Sequence, residues 1–208
     1  MENNYLTIDG HFENTLVIER SKFICNIKGV QNEVEAKEFV AEIKKAHSLA
    51  THNCYAYIAD ENGFNQKFSD DGEPQGTAGL PMLEVLKNKN IFKCVAVVTR
   101  YFGGIKLGKG GLTRAYSGSV VNCLDNAKIV KMQKCAFVEL KFDYENYSNF
   151  LRFISEKEVK IVETEFLNDV KCLVAINLDG VEIFLKELEN FLIGRVSFKK
   201  IKEDYVAF

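Results

Sequence analysis

The chain has 208 residues, of which 47% are hydrophobic and 27% charged, with 29 acids against 27 lysines and arginines. Those proportions are ordinary for a soluble globular protein of near-neutral charge, and the length allows one large or two small domains with cores of their own. No apolar run reaches the roughly eighteen residues of a membrane helix and the start does not read as a secretory leader, so the expectation is a cytoplasmic protein with no membrane contact.

In chain order, Leu6, Ile8, Leu16, Val17, Ile18, Phe23, Cys25 and Ile27 alternate roughly and predict two or three antiparallel strands, the last two separated around residues 19–23. Asn32 with Glu35 three positions on resembles a capping box, and Val34, Phe39, Val40, Ile43 and Ala46 carry helical spacing to about His47. Residues 51–58, THNCYAYI, are aromatic and β-rich and predict a strand. After a turn at Glu61-Asn62-Gly63 comes SDDGEPQGTAG at residues 69–79, with Asp70, Asp71, Glu73 and one of only two prolines. Pro81 then suits the first turn of a helix through Met82, Leu83, Val85 and Leu86. The three carboxylates could hold a divalent cation opposite a phosphate, pair with Arg100 and Arg114, or act as an acidic turn capping that helix.

Residues 93–116, KCVAVVTRYFGGIKLGKGGLTRAY, organise the rest. Cys94 to Val98 is a continuous apolar run of the kind found in a strand covered on both faces. Gly103, Gly104, Gly108, Gly110 and Gly111 follow as a loop able to cradle a ligand, and helical spacing is predicted from Leu112, with Thr113 near its start. A glycine loop leading into a helix N-terminus favours an anion, because the first helical amides and the dipole both point at it. Between Glu84 and Asp125 there is no acid, while Lys87, Lys89, Lys93, Arg100, Lys106, Lys109 and Arg114 carry positive charge. The order G-x-x-x-x-G-K-G from Gly103 to Gly110 stops short of a nucleotide phosphate loop, because Gly110 stands where a Mg²⁺-binding hydroxyl is required. No G-x-G-x-x-G fingerprint can be read either.

The six cysteines, Cys25, Cys54, Cys94, Cys123, Cys135 and Cys172, lie in apolar segments without a C-x-x-C pair. They read as small buried hydrophobes of a reducing compartment, with Cys54 near His52 as the one candidate nucleophile. A first domain of residues 1–131 is expected. Beyond it the pattern gives strand 135–142, helix 144–156, strand 159–167, a turn at Asn168-Asp169, strand 170–178, helix 181–193 and strand 196–202. That is the βαββαβ order of a ferredoxin-like sandwich over residues 132–208, and the whole is α+β. Phe142, Tyr144, Tyr147, Phe150 and Phe153 are assigned to its core and helix packing rather than to a base-stacking platform.

SDDGEPQGTAGLP at 69–81 followed by VTRYFGGIKLGKGGLTRAY at 98–116, with THNCYAY at 51–57, closely resembles the YigZ/IMPACT family. The resemblance implies a first domain similar to the second domain of small-subunit ribosomal protein five and a tail similar to a domain of elongation factor G. It also implies a link to ribosomes and nucleic acid, an analogy of fold rather than of site. Eukaryotic members restrain the amino-acid-starvation kinase pathway through a separate N-terminal domain, and that activity is not expected of this chain.

Three readings follow. The first is a non-enzymatic RNA- or ribosome-binding module in translational regulation, with Arg100, Lys106, Lys109 and Arg114 on phosphates and the amides of the glycine loop as oriented donors, without a resident cofactor. The second is a Mg²⁺-dependent enzyme or binder of a small phosphorylated ligand or nucleotide, using Asp70, Asp71 and Glu73 for the metal and His52 as general base. The third is a protein-interaction module whose basic face meets an acidic, translation-associated partner. The sequence leaves open whether the acidic and basic loops meet.

Overall fold

The computed structural model describes residues 4–208, and the chain divides into two compact units, Tyr5–Lys131 and Met132–Phe208, the second also taking in Asn4. The first unit contains β1 (Asn4–Ile8, its first residue in the second unit), β2 (His11–Ile18), β3 (Ser21–Gly29), α1 (Glu33–Ala46), β4 (His52–Ile58), β5 (Gln66–Ser69), α2 (Gly79–Asn88), β6 (Cys94–Tyr101) and α3 (Gly108–Asp125). β2, β3, β6, β4 and β5 form one sheet in that order, every neighbouring pair antiparallel.

The alternation of β6 explains its unbroken apolar run. Cys94, Ala96 and Val98 face a core built with Met82 and Leu86 of α2 and Leu112, Tyr116 and Val120 of α3. Val95 and Val97 face the opposite way, against Phe39, Val40 and Ile43 of α1. The sheet is therefore sandwiched between helices, and every β6 side chain from Cys94 to Arg100 is buried. Each such Val or Leu contributes about 1.5–3 kcal/mol through burial. β6 is thus the rigid element on which the loop that follows it is mounted.

Local chemistry sets the boundaries. Asn32 Oδ1 accepts the amides of Val34 and Glu35 at 2.9 and 3.1 Å, while the Glu35 carboxylate takes the Gln31 amide at 2.8 Å, so α1 starts on a capping box shifted by one residue. Between β2 and β3 the connection is only Glu19-Arg20, both with left-handed φ of 47° and 64°. Those are the signs a two-residue type I′ hairpin needs, although Asn-Gly is its favoured pair. β5 has no counterpart in the sequence expectation: it is a four-residue edge strand whose side chains are mostly exposed, so it carries no apolar alternation.

The second unit contains β7 (Ile129–Phe142, its first residues in the first unit), α4 (Tyr144–Ile154), β8 (Val159–Phe166), β9 (Val170–Asn177), a 3-10 turn at Leu178–Gly180, α5 (Val181–Phe191) and β10 (Ser197–Ala207). β10, β7, β9 and β8 lie side by side in that order, all antiparallel, with Val138, Leu140, Phe150, Val174, Phe184 and Leu188 in the core beneath. Phe142 and Phe150 are buried and Tyr147 and Phe153 pack at the edge of that core. Tyr144 departs from the expectation, being 51% exposed and stacked on the exposed Phe166 instead.

Candidate functional site

Two loops of the first unit carry the residues singled out by sequence, and their charges have different fates. In the 69–79 loop, Asp70 accepts the amides of Gly76, Ala78 and Gly79 at 2.8, 3.0 and 2.8 Å. It thereby satisfies the start of α2, whose own N-cap position, Ala78, has no side-chain acceptor to offer. Asp71 accepts from Lys44 Nζ at 2.6 Å and from the Asn53 amide at 2.7 Å, and its carbonyl accepts Nδ1–H of His52 at 2.8 Å. Burial pushes the Asp71 carboxyl up, but Lys44 and the Asn53 amide outweigh it and hold the group below its ordinary range.

Glu73 is buried, and its Oε1 accepts from Arg100 Nη1 at 2.7 Å and from the Tyr116 hydroxyl at 2.8 Å. His52 Nε2 lies 3.9 Å from the other oxygen. Burial, with Cys54 and Glu73 beside it, pushes the Tyr116 hydroxyl far above its ordinary range and keeps it a proton donor. The acidic and basic segments therefore do meet, through Glu73, Arg100 and Tyr116. The carboxylates of Asp70, Asp71 and Glu73, however, are each held by different donors, and among the described residues no group of three His, Cys, Asp or Glu could hold a metal ion. The Mg²⁺ arrangement considered from sequence has no such cluster to rest on.

Burial decides two further readings, leaving Cys54 among the buried cysteines expected from sequence and correcting the placement of Arg100 on a phosphate. Cys54 is fully buried, its thiol donating to the Asp70 carbonyl at 2.9 Å, and burial pushes its pKa to about 12, so a thiolate nucleophile is not populated at neutral pH. Arg100, assigned to phosphate, is 5% exposed. Its guanidinium is held by Glu73, donates to Ser21 Oγ at 3.4 Å and lies over the rings of Phe23 and Phe102 at 5.4 Å each. It is a bolt between β6, the 69–79 loop and the start of β3. Ser21, which sequence reasoning passed over, also accepts the Gly103 amide at 3.1 Å. Its burial beside a two-residue turn is a tertiary outcome that no local pattern announces.

The glycine loop also divides. A Cβ on Gly103 would stand 2.0 Å from the Arg20 carbonyl carbon, so this glycine admits the β2–β3 turn and not a ligand. Gly104 and Gly108 take left-handed φ of 87° and 68° with open space around them, as a cradle needs. Gly110 and Gly111 lie inside α3, which starts at Gly108, four residues ahead of the predicted Leu112. Glycine's poor helix propensity hid that start, and its N-cap position, Leu107, supplies no side-chain bond to the first amides. Lys106, Lys109 and Arg114 are exposed there, and none is in an ion pair among the described residues. Phe102 and Ile105 in the same loop are 48% and 38% exposed. Between this loop and the end of β2 lies a cleft of about 420 Å³.

An antiparallel sheet buried between helices, a cation-bearing glycine turn after its central strand and a separate βαββαβ unit define a two-domain α+β protein. Residues 19–124 match the Impact N-terminal domain, and the chain belongs to the IMPACT family. It is 39% identical over 206 residues to the IMPACT family member YvyE of Bacillus subtilis, covering 99% of this chain and 95% of that one. To the IMPACT family member YigZ of Escherichia coli it is 33% identical over 188 residues, 89% and 92% of the two chains. The Protein IMPACT of Xenopus laevis is 31% identical over 130 residues, which are 60% of this chain and 39% of that protein. A crystal structure described as that of an hypothetical protein superimposes with a TM-score of 0.64 at 30% identity, covering 98% of this chain and all of the other.

Proposed function

We propose that the protein is a non-enzymatic RNA- or ribosome-binding module, and that its first unit contacts phosphates through Lys106, Lys109 and Arg114. The observation that carries this is the gathering of three exposed cations, without an ion pair among the described residues, around the start of α3, where amides without a side-chain cap and the helix dipole add to the same positive field. The groups that a metal-dependent or thiol-dependent enzyme would draw on are engaged in internal bonds. Contacts of this kind position a backbone without reading its sequence, so binding is weakly specific and strongly salt dependent. A role in translational regulation, with a ribosome or a translation-associated protein as partner, is part of this proposal and draws on family membership.

The test is co-sedimentation with ribosomes at two salt concentrations, comparing the wild type with a Lys106→Ala, Lys109→Ala, Arg114→Ala triple variant. Arg100 stays in place, because removing a buried bolt would confound binding with folding. Three phosphate contacts give a log-log salt slope of about −2 to −3, lost in the variant. Equal pelleting of both proteins, or none at low salt, rejects the reading. Capture of a protein partner that survives nuclease treatment and still needs the three cations would favour an acidic protein surface instead.

A further inference from the structure

In the cleft beside α3, Ile18 and Leu107 also pack on the core, but phosphate contact leaves the exposed Ile105 and Glu19 without a role. The lining of this cleft includes the aliphatic Ile18, Ile105 and Leu107, the cationic Lys106 and Arg114, and the acidic Glu19. A groove that only follows a phosphate backbone gains nothing from aliphatic walls, and a carboxylate within it repels the ligand. Glu19 shares the cleft with Lys106 and Arg114 yet forms an ion pair with neither, nor with any other described residue. It also occupies the first position of a two-residue hairpin with φ of 47°, where Asn or Gly would be relaxed, and Gly103 packs against Arg20 so that this turn sits fixed beside the loop. The volume of about 420 Å³ lies at the small end of the range for small-molecule sites, enough for one nucleotide.

We propose that this cleft takes a single unpaired nucleotide of an RNA strand, guanosine in preference. The aliphatic walls cover the base, Glu19 accepts the two adjacent N–H donors of guanine's Watson–Crick edge, and Lys106 and Arg114 hold the phosphate. The inference rests on the RNA reading above and adds to it a demand for single strands, because a paired base does not offer that edge. It also accounts for the one acid at a cationic site, since a carboxylate there discriminates bases while the lysines and arginine cannot.

The experiment uses the full chain and labelled single-stranded nonamers, uridine throughout except for a central guanosine, inosine or adenosine, together with the guanosine strand annealed to its complement. 5′-GMP and 5′-AMP are titrated separately by NMR. The guanosine strand is expected to bind at least about fivefold more tightly than the adenosine strand and the duplex, with inosine, lacking the 2-amino group, in between. Glu19→Gln, a change in an exposed turn, should remove the guanosine preference without weakening the adenosine strand, and Ile105→Ala should weaken both. Equal binding of all four RNAs that still depends on Lys106 overturns the nucleotide cleft and leaves the RNA reading standing. Preference for 5′-GMP, erased by Glu19→Gln, with no oligomer bound, keeps the cleft and overturns the RNA reading. No binding of either kind overturns both.

Discussion

The two glycine-rich, charged segments at residues 69–79 and 102–114 could face one ligand when read as sequence, and the structure uses them in opposite ways. In the first, every carboxylate is bonded inward: Asp70 to three amides, Asp71 to Lys44 and Asn53, Glu73 to Arg100 and Tyr116. In the second, Lys106, Lys109 and Arg114 have no ionic partner among the described residues and stand in solvent. What separates scaffold from candidate site is therefore whether a charge is already satisfied by the fold. Arg100 makes the point within a single motif, because it lies on the same strand that launches the exposed cations and yet belongs to the scaffold.

If the 69–79 loop is scaffold, breaking its buried pair must cost stability and not merely binding. Glu73→Ala leaves the Arg100 guanidinium buried with no counter-charge, in a site where its Nε already lacks a hydrogen-bond partner. The expected loss is about 3–5 kcal/mol by urea denaturation, the usual result of removing one member of a buried ion pair. A loss under about 1 kcal/mol would mean that the loop does not depend on that pair. Next in size is Gly103→Ala, whose Cβ would collide with the Arg20 backbone rather than with a yielding side chain. About 1–3 kcal/mol should be lost, as in overpacked cores, while Gly104→Ala, with open space around it, should lose about 1 kcal/mol through its left-handed backbone alone. Equal effects at the two glycines would refute the assignment of Gly103 to the turn contact.

Much of the architecture was legible because it is written in local patterns. The Asn32 cap, the doubly apolar run of β6 and the six elements of the second unit all follow from spacing and turn residues. The boundaries that slipped did so for physical reasons. β5 is a short edge strand without an apolar face, and three of the first four residues of α3 are glycines whose intrinsic preference is against a helix. The burial of Arg100 was not legible, since its partner Glu73 lies 27 residues upstream and nothing local distinguishes a buried arginine from an exposed one. Of the two pairings considered for the acids, Arg100 is realised, whereas Arg114 makes no ion pair among the described residues. The cleft was invisible for the same reason: its far wall comes from Ile18 and Glu19, a hairpin end with no motif of its own.

A smaller effect separates helix from loop inside the second motif. Gly110 is helical, and a Cβ there would meet only the flexible end of Arg114 at 3.6 Å. Gly110→Ala should therefore stabilise the protein by about 0.4–1 kcal/mol, by removing glycine's extra freedom in the unfolded chain. Destabilisation would show that residue 110 belongs to a loop after all.

The least costly break concerns the partly exposed Lys44–Asp71 pair, and it is best seen through pH. The Asp71 carboxyl is held below its ordinary value of 3.8 in the folded chain, which means that the folded state favours the ionised form. Stability from that preference is present above the unfolded value and is lost as pH falls through the folded one. Lys44→Met removes one of the two groups responsible, so the variant should lie about 0.5 kcal/mol below the wild type near pH 7, a size typical of an exposed ion pair. The gap should then close toward pH 3. Lys44 also sits over the Tyr55 ring at 5.7 Å, which offers a rival source for the same deficit. A difference that stays constant from pH 7 to pH 3 would assign the contribution to that ring contact, and Asp71 would then be held by the Asn53 amide alone.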